Sequence, residues 1–113
     1  MSEIQDYSEL ELNQIKQILK ERFGKDLQLD LADAELRLDP STPVLTACPT
    51  VFFKQAETNF VLFKTGESRY RCLFFYKNNE QFGTGKDEYD DLQDCVITLL
   101  QVHADHELER ADK

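Results

Sequence analysis

The periodicity of the apolar residues changes twice along this chain, and that order of patterns constrains its fold more than any other sequence feature. Near the N-terminus, apolar residues recur at intervals of three and four, as on one face of a helix: Leu12, Ile15, Leu19 and Phe23. Ser8 and Glu11 fit the capping box that begins a helix, and Gly24 supplies the left-handed residue that often ends one. We therefore predict a first helix over Glu9–Phe23.

After Gly24 the period shortens to two, which is typical of antiparallel strands with one polar face. Residues 27–31 and 34–38 alternate in this way, and the pair Ala32-Asp33 between them could be a tight turn or a bulge. Residues 39–43 contain two prolines, which predicts a loop. Three further strands are predicted over residues 50–55, 59–64 and 69–77.

Aromatic residues are concentrated in these later strands. Nine of the chain's aromatic residues lie between Pro49 and Phe82. The last of the three strands is apolar on both faces, since it contains Cys72, Leu73, Phe74, Phe75 and Tyr76 in succession. This pattern is typical of a strand covered on both sides, and we expect helices on one face and a partner on the other.

A second helix is predicted from near Lys86 toward the C-terminus. Its apolar face comprises Tyr89, Leu92, Val96, Leu99 and His103. Residues 109–113 are mostly polar, so we expect this tail to fray. The order helix, strands, helix within 113 residues predicts one α+β domain over residues 1–113: an antiparallel sheet of four to five strands, with the N-terminal and C-terminal helices packed on one face.

Composition limits the class of protein. The chain has no apolar run near the ~18 residues of a membrane span, and no apolar segment typical of a secretory signal follows Met1. Its three cysteines, Cys48, Cys72 and Cys95, are odd in number and have no paired spacing, which favours free thiols over a disulfide framework. We expect a cytoplasmic protein that does not associate with membranes.

A run of carboxylates at the start of the predicted second helix is the main candidate site. Asp87, Asp90, Asp91 and Asp94 recur at intervals of three and four, so they would share one helical face. Such a face could attract a basic protein partner, or its oxygens could bind a hard cation such as Ca²⁺. Charge runs are usually solvated faces, so complementing the helix dipole and keeping the protein soluble is favoured over a cation site.

No catalytic set is recognisable in the sequence, so we expect neither enzymatic activity nor a cofactor. Residues 83–86 lack the glycine and the hydroxyl residue that a phosphate-binding P-loop requires. His103 and His106 lack the spacing and the companion ligands of a zinc site. Cys48 has no cationic sequence neighbour that would activate its thiol.

The charge is unevenly distributed along the chain. The net charge is −9, yet residues 49–86 contain six bases and three acids. A basic, aromatic sheet can bind single-stranded nucleic acid by base stacking. That partner is disfavoured, because residues 71–76 lack the glycine of the common RNA-binding pattern and the core needs the aromatic rings.

We therefore predict a small, acidic, non-enzymatic interaction or regulatory module. Its partner would be another protein, a basic one on grounds of charge, or a second copy of the chain. Ca²⁺ binding by the acidic run and nucleic-acid binding by the sheet are the alternatives.

Overall fold

Two helices flank a five-stranded antiparallel sheet in the computed structural model, which describes residues 4–55, 57–76, 81–86 and 88–111. The elements in chain order are α1 (Glu9–Phe23), β1 (Asp30–Leu36), β2 (Thr46–Gln55), β3 (Thr58–Gly66), β4 (Arg69–Phe75), β5 (Gln81–Phe82) and α2 (Leu92–Ala111). Strands that follow one another along the chain are neighbours in the sheet, in the order β1-β2-β3-β4-β5. The predicted single α+β domain is confirmed.

The first helix has both of the predicted end signals. The Ser8 hydroxyl accepts a hydrogen bond from the Glu11 amide at 3.1 Å, and the Ser8 amide donates to the Glu11 carboxylate at 2.8 Å. Gly24 ends the helix in the left-handed conformation, with φ of 71°. The helix buries Ile15 and Leu19 completely, so the predicted apolar stripe faces the core.

The first strand is continuous through Ala32-Asp33, where the sequence predicted a turn or a bulge. Its pairing with β2 runs without a register shift, with Ala32 opposite Thr50 and Asp33 opposite Pro49. The side chains therefore alternate without interruption, and Leu31 and Leu36 lie on opposite faces of the sheet.

The core lies between the helices and one face of the sheet. Phe53, Phe60 and Phe74 lie side by side on β2, β3 and β4, and all three side chains are fully buried. The rings of Phe53 and Phe60 stack with their centroids 4.9 Å apart. Leu19 of α1 and Leu99 of α2 belong to the same buried cluster, which places both helices on this face.

The second helix begins at Leu92, so the prediction of a start near Lys86 is wrong. Tyr89 pairs with Tyr70 of β4 through two backbone hydrogen bonds of 2.8 and 2.7 Å. This pairing holds Tyr89 against the edge of the sheet and buries its side chain, so the helix can begin only afterwards.

The C-terminal end of the second helix continues into the segment that was expected to fray. Residues 109–111 of the predicted frayed tail are helical, while residues 112 and 113 lie outside the described residues. Within the described parts of the chain, neither helix is long and apolar enough to cross a membrane.

A buried ion pair joins α1 to the sheet. The Lys64 ammonium of β3 lies 2.9 Å from the Glu11 carboxylate, and the two side chains are only 9% and 14% exposed. The Tyr70 hydroxyl donates to the other oxygen of Glu11. Lys64 also donates to the Asp6 carbonyl at 3.2 Å. One carboxylate therefore both caps a helix and holds it against two strands.

We predict that Glu11→Gln lowers the free energy of unfolding by about 1–3 kcal/mol, because it leaves the Lys64 charge without its partner. Burial by itself raises the pKa of Glu11, but the hydrogen bonds from Tyr70, Ser8 and Lys64 hold that pKa below its ordinary value of 4.5. The stabilisation should therefore be complete above that value and disappear as the pH falls through the lowered pKa.

Denaturant unfolding of Glu11→Gln, Lys64→Met and the double variant measures this interaction as a coupling energy. We expect a coupling of about 1 kcal/mol or more at neutral pH, decreasing as the carboxylate protonates. Strict additivity of the two substitutions would show that the ion pair does not stabilise the fold.

Candidate functional site

The predicted acidic site is not arranged as a single helical face. Asp90 and Asp91 precede α2, and Asp94 lies in its first turn. All three side chains are exposed. Asp87 lies outside the described residues. Attraction of a basic partner by these carboxylates stays a prediction.

One of these acids has a local structural role. The Asp91 carboxylate accepts a hydrogen bond from the Gln93 amide at 3.0 Å, and its carbonyl accepts from the Cys95 amide at 3.0 Å. This is the arrangement of an N-cap, which satisfies amides at the start of a helix.

Glu88, which belongs to the acidic run but not to its predicted helical face, lies among cations. Glu88 lies 3.6 Å from the guanidinium groups of both Arg69 and Arg71, and it accepts a hydrogen bond of 2.8 Å from the Thr65 hydroxyl. Arg69 and Arg71 lie two positions apart on β4 and therefore share a face, a signal that the sequence contains. Their acidic partner could not be predicted, because it depends on how residues 88–90 return to the edge of the sheet.

The face of the sheet opposite the helices also carries large apolar side chains, and we call it the open face: Leu36, Phe52, Phe63, Leu73 and Phe75. In the strand register, Phe52 lies opposite Val61, which lies opposite Leu73. None of the five belongs to the buried cluster that the helices complete, and each is only half-buried. Among the described residues, no helix packs on this face.

A cleft of about 530 Å³ lies at the open face and is lined in part by Leu36, Phe63, Leu73 and Gln81. In a flat sheet, Leu36 on β1 and Gln81 on β5 would be separated by at least roughly 19 Å, the width of four strand spacings. Both line one cleft, so the sheet must curl around it. Its volume is within the range of sites that bind small molecules.

Two cations also line this cleft. The Arg71 Nε atom is buried and has no hydrogen-bond acceptor within the described parts of the chain. The Lys86 ammonium lies 4.8 Å from the centroid of the Tyr89 ring, a cation–π contact. The described lining residues include no acid, although the chain as a whole is strongly acidic.

The two histidines pack at the end of the sheet near the C-terminal half of α2. His103 Nε2 lies 2.9 Å from the Thr58 hydroxyl and 3.2 Å from the Glu107 carboxylate, and His106 Nδ1 lies 3.1 Å from the Tyr76 hydroxyl. Burial lowers the pKa of His103, and Glu107 only partly offsets this effect. In the portion that the structure describes, no three His, Cys, Asp or Glu side chains are grouped so that they could hold a metal ion.

The cysteines are unpaired thiols. Cys48 and Cys95 are buried, and Cys72 is half-buried with its thiol 3.8 Å from the Cys95 carbonyl. Burial raises the pKa of Cys48 above its ordinary value, although Arg71 acts in the opposite direction. A raised pKa opposes formation of the thiolate that nucleophilic chemistry requires.

We expect Asp91→Ala to lower the free energy of unfolding by about 0.5–2 kcal/mol, because it removes the cap of α2. Asp90→Ala is the matched control, since it removes the same charge from an exposed neighbour and should cost under about 0.5 kcal/mol. Chemical denaturation of both variants checks this. Equal losses would mean that Asp91 acts only through its charge.

The lowered pKa of His103 predicts a loss of stability on acidification. The unfolded chain binds a proton near the ordinary histidine value of 6.5, whereas the folded chain does so only at lower pH. The free energy of unfolding should therefore be highest above pH 6.5 and decrease as the pH falls from 6.5 toward the lowered pKa. His103→Gln should remove this component. Denaturant melts across this range test the prediction, and an unchanged pH dependence in the variant would contradict it.

Comparison of the chain with models of protein families, with curated proteins and with solved structures found no match in any of the three. Its function is therefore inferred from its own side chains, above all those of the open face and its cleft.

Proposed function

We propose that this chain is a protein-interaction module that binds its partner through the open face. The observation that carries this proposal is that five large apolar side chains lie on a side of the sheet that no described helix covers. Antiparallel sheets usually have a polar second face when that face meets only water. A contiguous apolar face of this kind is typical of an interaction surface.

The partly exposed aromatic side chains suit such a role. Phe52, Phe63 and Phe75 are large and apolar, and burial of aromatic side chains dominates the energy of many interfaces. The hydrogen bonds between strands fix the backbone that carries these rings. Binding of a partner would therefore order little additional backbone. The open face is therefore preorganised for a partner.

Single-stranded nucleic acid is the second candidate for this face. Phe52, Phe63 and Phe75 could stack bases. Lys54 and Arg71 lie on the same face of the sheet as these rings. A protein partner is favoured, because a net charge of −9 repels phosphate at long range.

Affinity capture with variants of the open face tests the proposal. The wild-type protein, Leu73→Arg and the control Ile97→Arg would each be immobilised and exposed to lysate of the native cell, and the retained proteins quantified by mass spectrometry. Ile97 is 43% exposed on α2, away from the open face, so its variant introduces the same charge elsewhere. Thermal melts would establish that all three proteins are folded.

We expect at least one protein to be retained by the wild type and by Ile97→Arg, and to fall by about tenfold or more with Leu73→Arg, since a charge would then face an apolar interface. Equal retention by all three would exclude the open face as the docking surface. Binding of a labelled single-stranded oligonucleotide that Phe63→Ala abolishes would favour nucleic acid instead.

A further inference from the structure

The cleft at the open face combines apolar walls with positive charge. Leu36, Phe63 and Leu73 supply the walls, and Arg71 and Lys86 are the charged groups among the described lining residues. The protein as a whole has 22 acids and 13 bases, so the absence of an acid among the described lining residues differs sharply from the average surface. Charge complementarity therefore favours an anionic group on whatever occupies the cleft.

Within the described parts of the chain, the Arg71 Nε donor has no hydrogen-bond acceptor. This atom is buried, and the nearest described carboxylate oxygen, on Glu88, is 3.6 Å away, which is too long for a hydrogen bond. Glu88 is held there by the Thr65 hydroxyl and is shared with Arg69. A buried donor without an acceptor is costly, and an acceptor from a bound partner would satisfy it.

Lys86 offers a second charge. Its ammonium lies over the Tyr89 ring, and within the described residues no carboxylate approaches it closely enough to form an ion pair. A carboxylate that accepted hydrogen bonds from Arg71 and Lys86 together would make charge-assisted contacts, which are stronger than neutral ones.

We propose that this cleft binds an acidic, apolar segment of a partner protein. Large apolar side chains of the segment would pack between Leu36, Phe63 and Leu73, and an aspartate or glutamate would accept hydrogen bonds from Arg71 and Lys86. This inference rests on the proposed function and specifies the chemistry of its partner. This partner segment is acidic, whereas the acidic run of the chain predicted a basic partner.

Selection from a displayed library of random peptides tests this chemistry. The library would be selected on the immobilised full chain, and the enriched peptides synthesised with a fluorescent label. Their affinities would be measured by anisotropy for the wild type, Arg71→Gln and Lys16→Gln. Lys16 is an exposed cation on α1, so its variant makes a similar change of charge far from the cleft.

We expect the selected peptides to combine acidic with large apolar residues. Arg71→Gln should weaken their binding by about tenfold or more, whereas Lys16→Gln should leave it unchanged. Replacement of the peptide's acid by its amide should weaken binding to the wild type similarly. Melting curves would show whether Arg71→Gln is folded, and Arg71→Lys, which retains the charge, should bind with intermediate affinity.

Enrichment of basic or uncharged peptides, failure to enrich any peptide, or equal affinity for the wild type and Arg71→Gln would overturn this proposal. So would sedimentation showing that a second copy of the chain occupies the open face, with dissociation of that dimer by Leu73→Arg. If Leu73→Arg loses the captured protein while Arg71→Gln retains it, the interaction function stands and only this partner chemistry fails. If both variants retain every captured protein, the interaction function fails as well.

Discussion

The position of the first helix depends on one carboxylate, that of Glu11. It accepts the Ser8 amide as part of the capping box and forms the ion pair with Lys64. A buried ammonium without a counter-charge would be strongly destabilising, so the helix start and the sheet stabilise each other. The Tyr7 hydroxyl reinforces the contact by donating to the Leu62 carbonyl at 2.9 Å. These interactions hold α1 on the face of the sheet that also carries α2.

Because both helices pack on one face of the sheet, the side chains of the other face are left without helical cover among the described residues. Side chains alternate along a strand, so Phe53 enters the core while its neighbour Phe52 lies on the open face. The same alternation separates Phe74 from Leu73 on β4. A strand that is apolar at successive positions must therefore offer apolar groups to both sides. One side is covered by the helices, and among the described residues no helix covers the other.

The distribution of charge has a similar origin. The sequence shows a mildly basic middle between acidic flanks. It does not show which basic side chains the fold brings close together. The register places Arg71 opposite Phe63, and the chain returning from β5 brings Lys86 to the same cleft. Glu88 arrives on that return as well and lies between two arginines. The apolar cleft with its cations is thus a product of long-range pairing.

The sequence by itself determined the elements whose signals are local. The first helix is confirmed from Glu9–Phe23 because its capping box, apolar stripe and terminal glycine all act within a few residues. Tertiary structure decided where α2 begins, since the pairing of Tyr89 with Tyr70 outweighs the local helical pattern. It likewise made β1 continuous and divided the acidic run, so that Asp91 caps α2 and Asp94 lies in its first turn. Backbone pairing between distant residues depends on the whole sheet, and no local pattern of residue types records it.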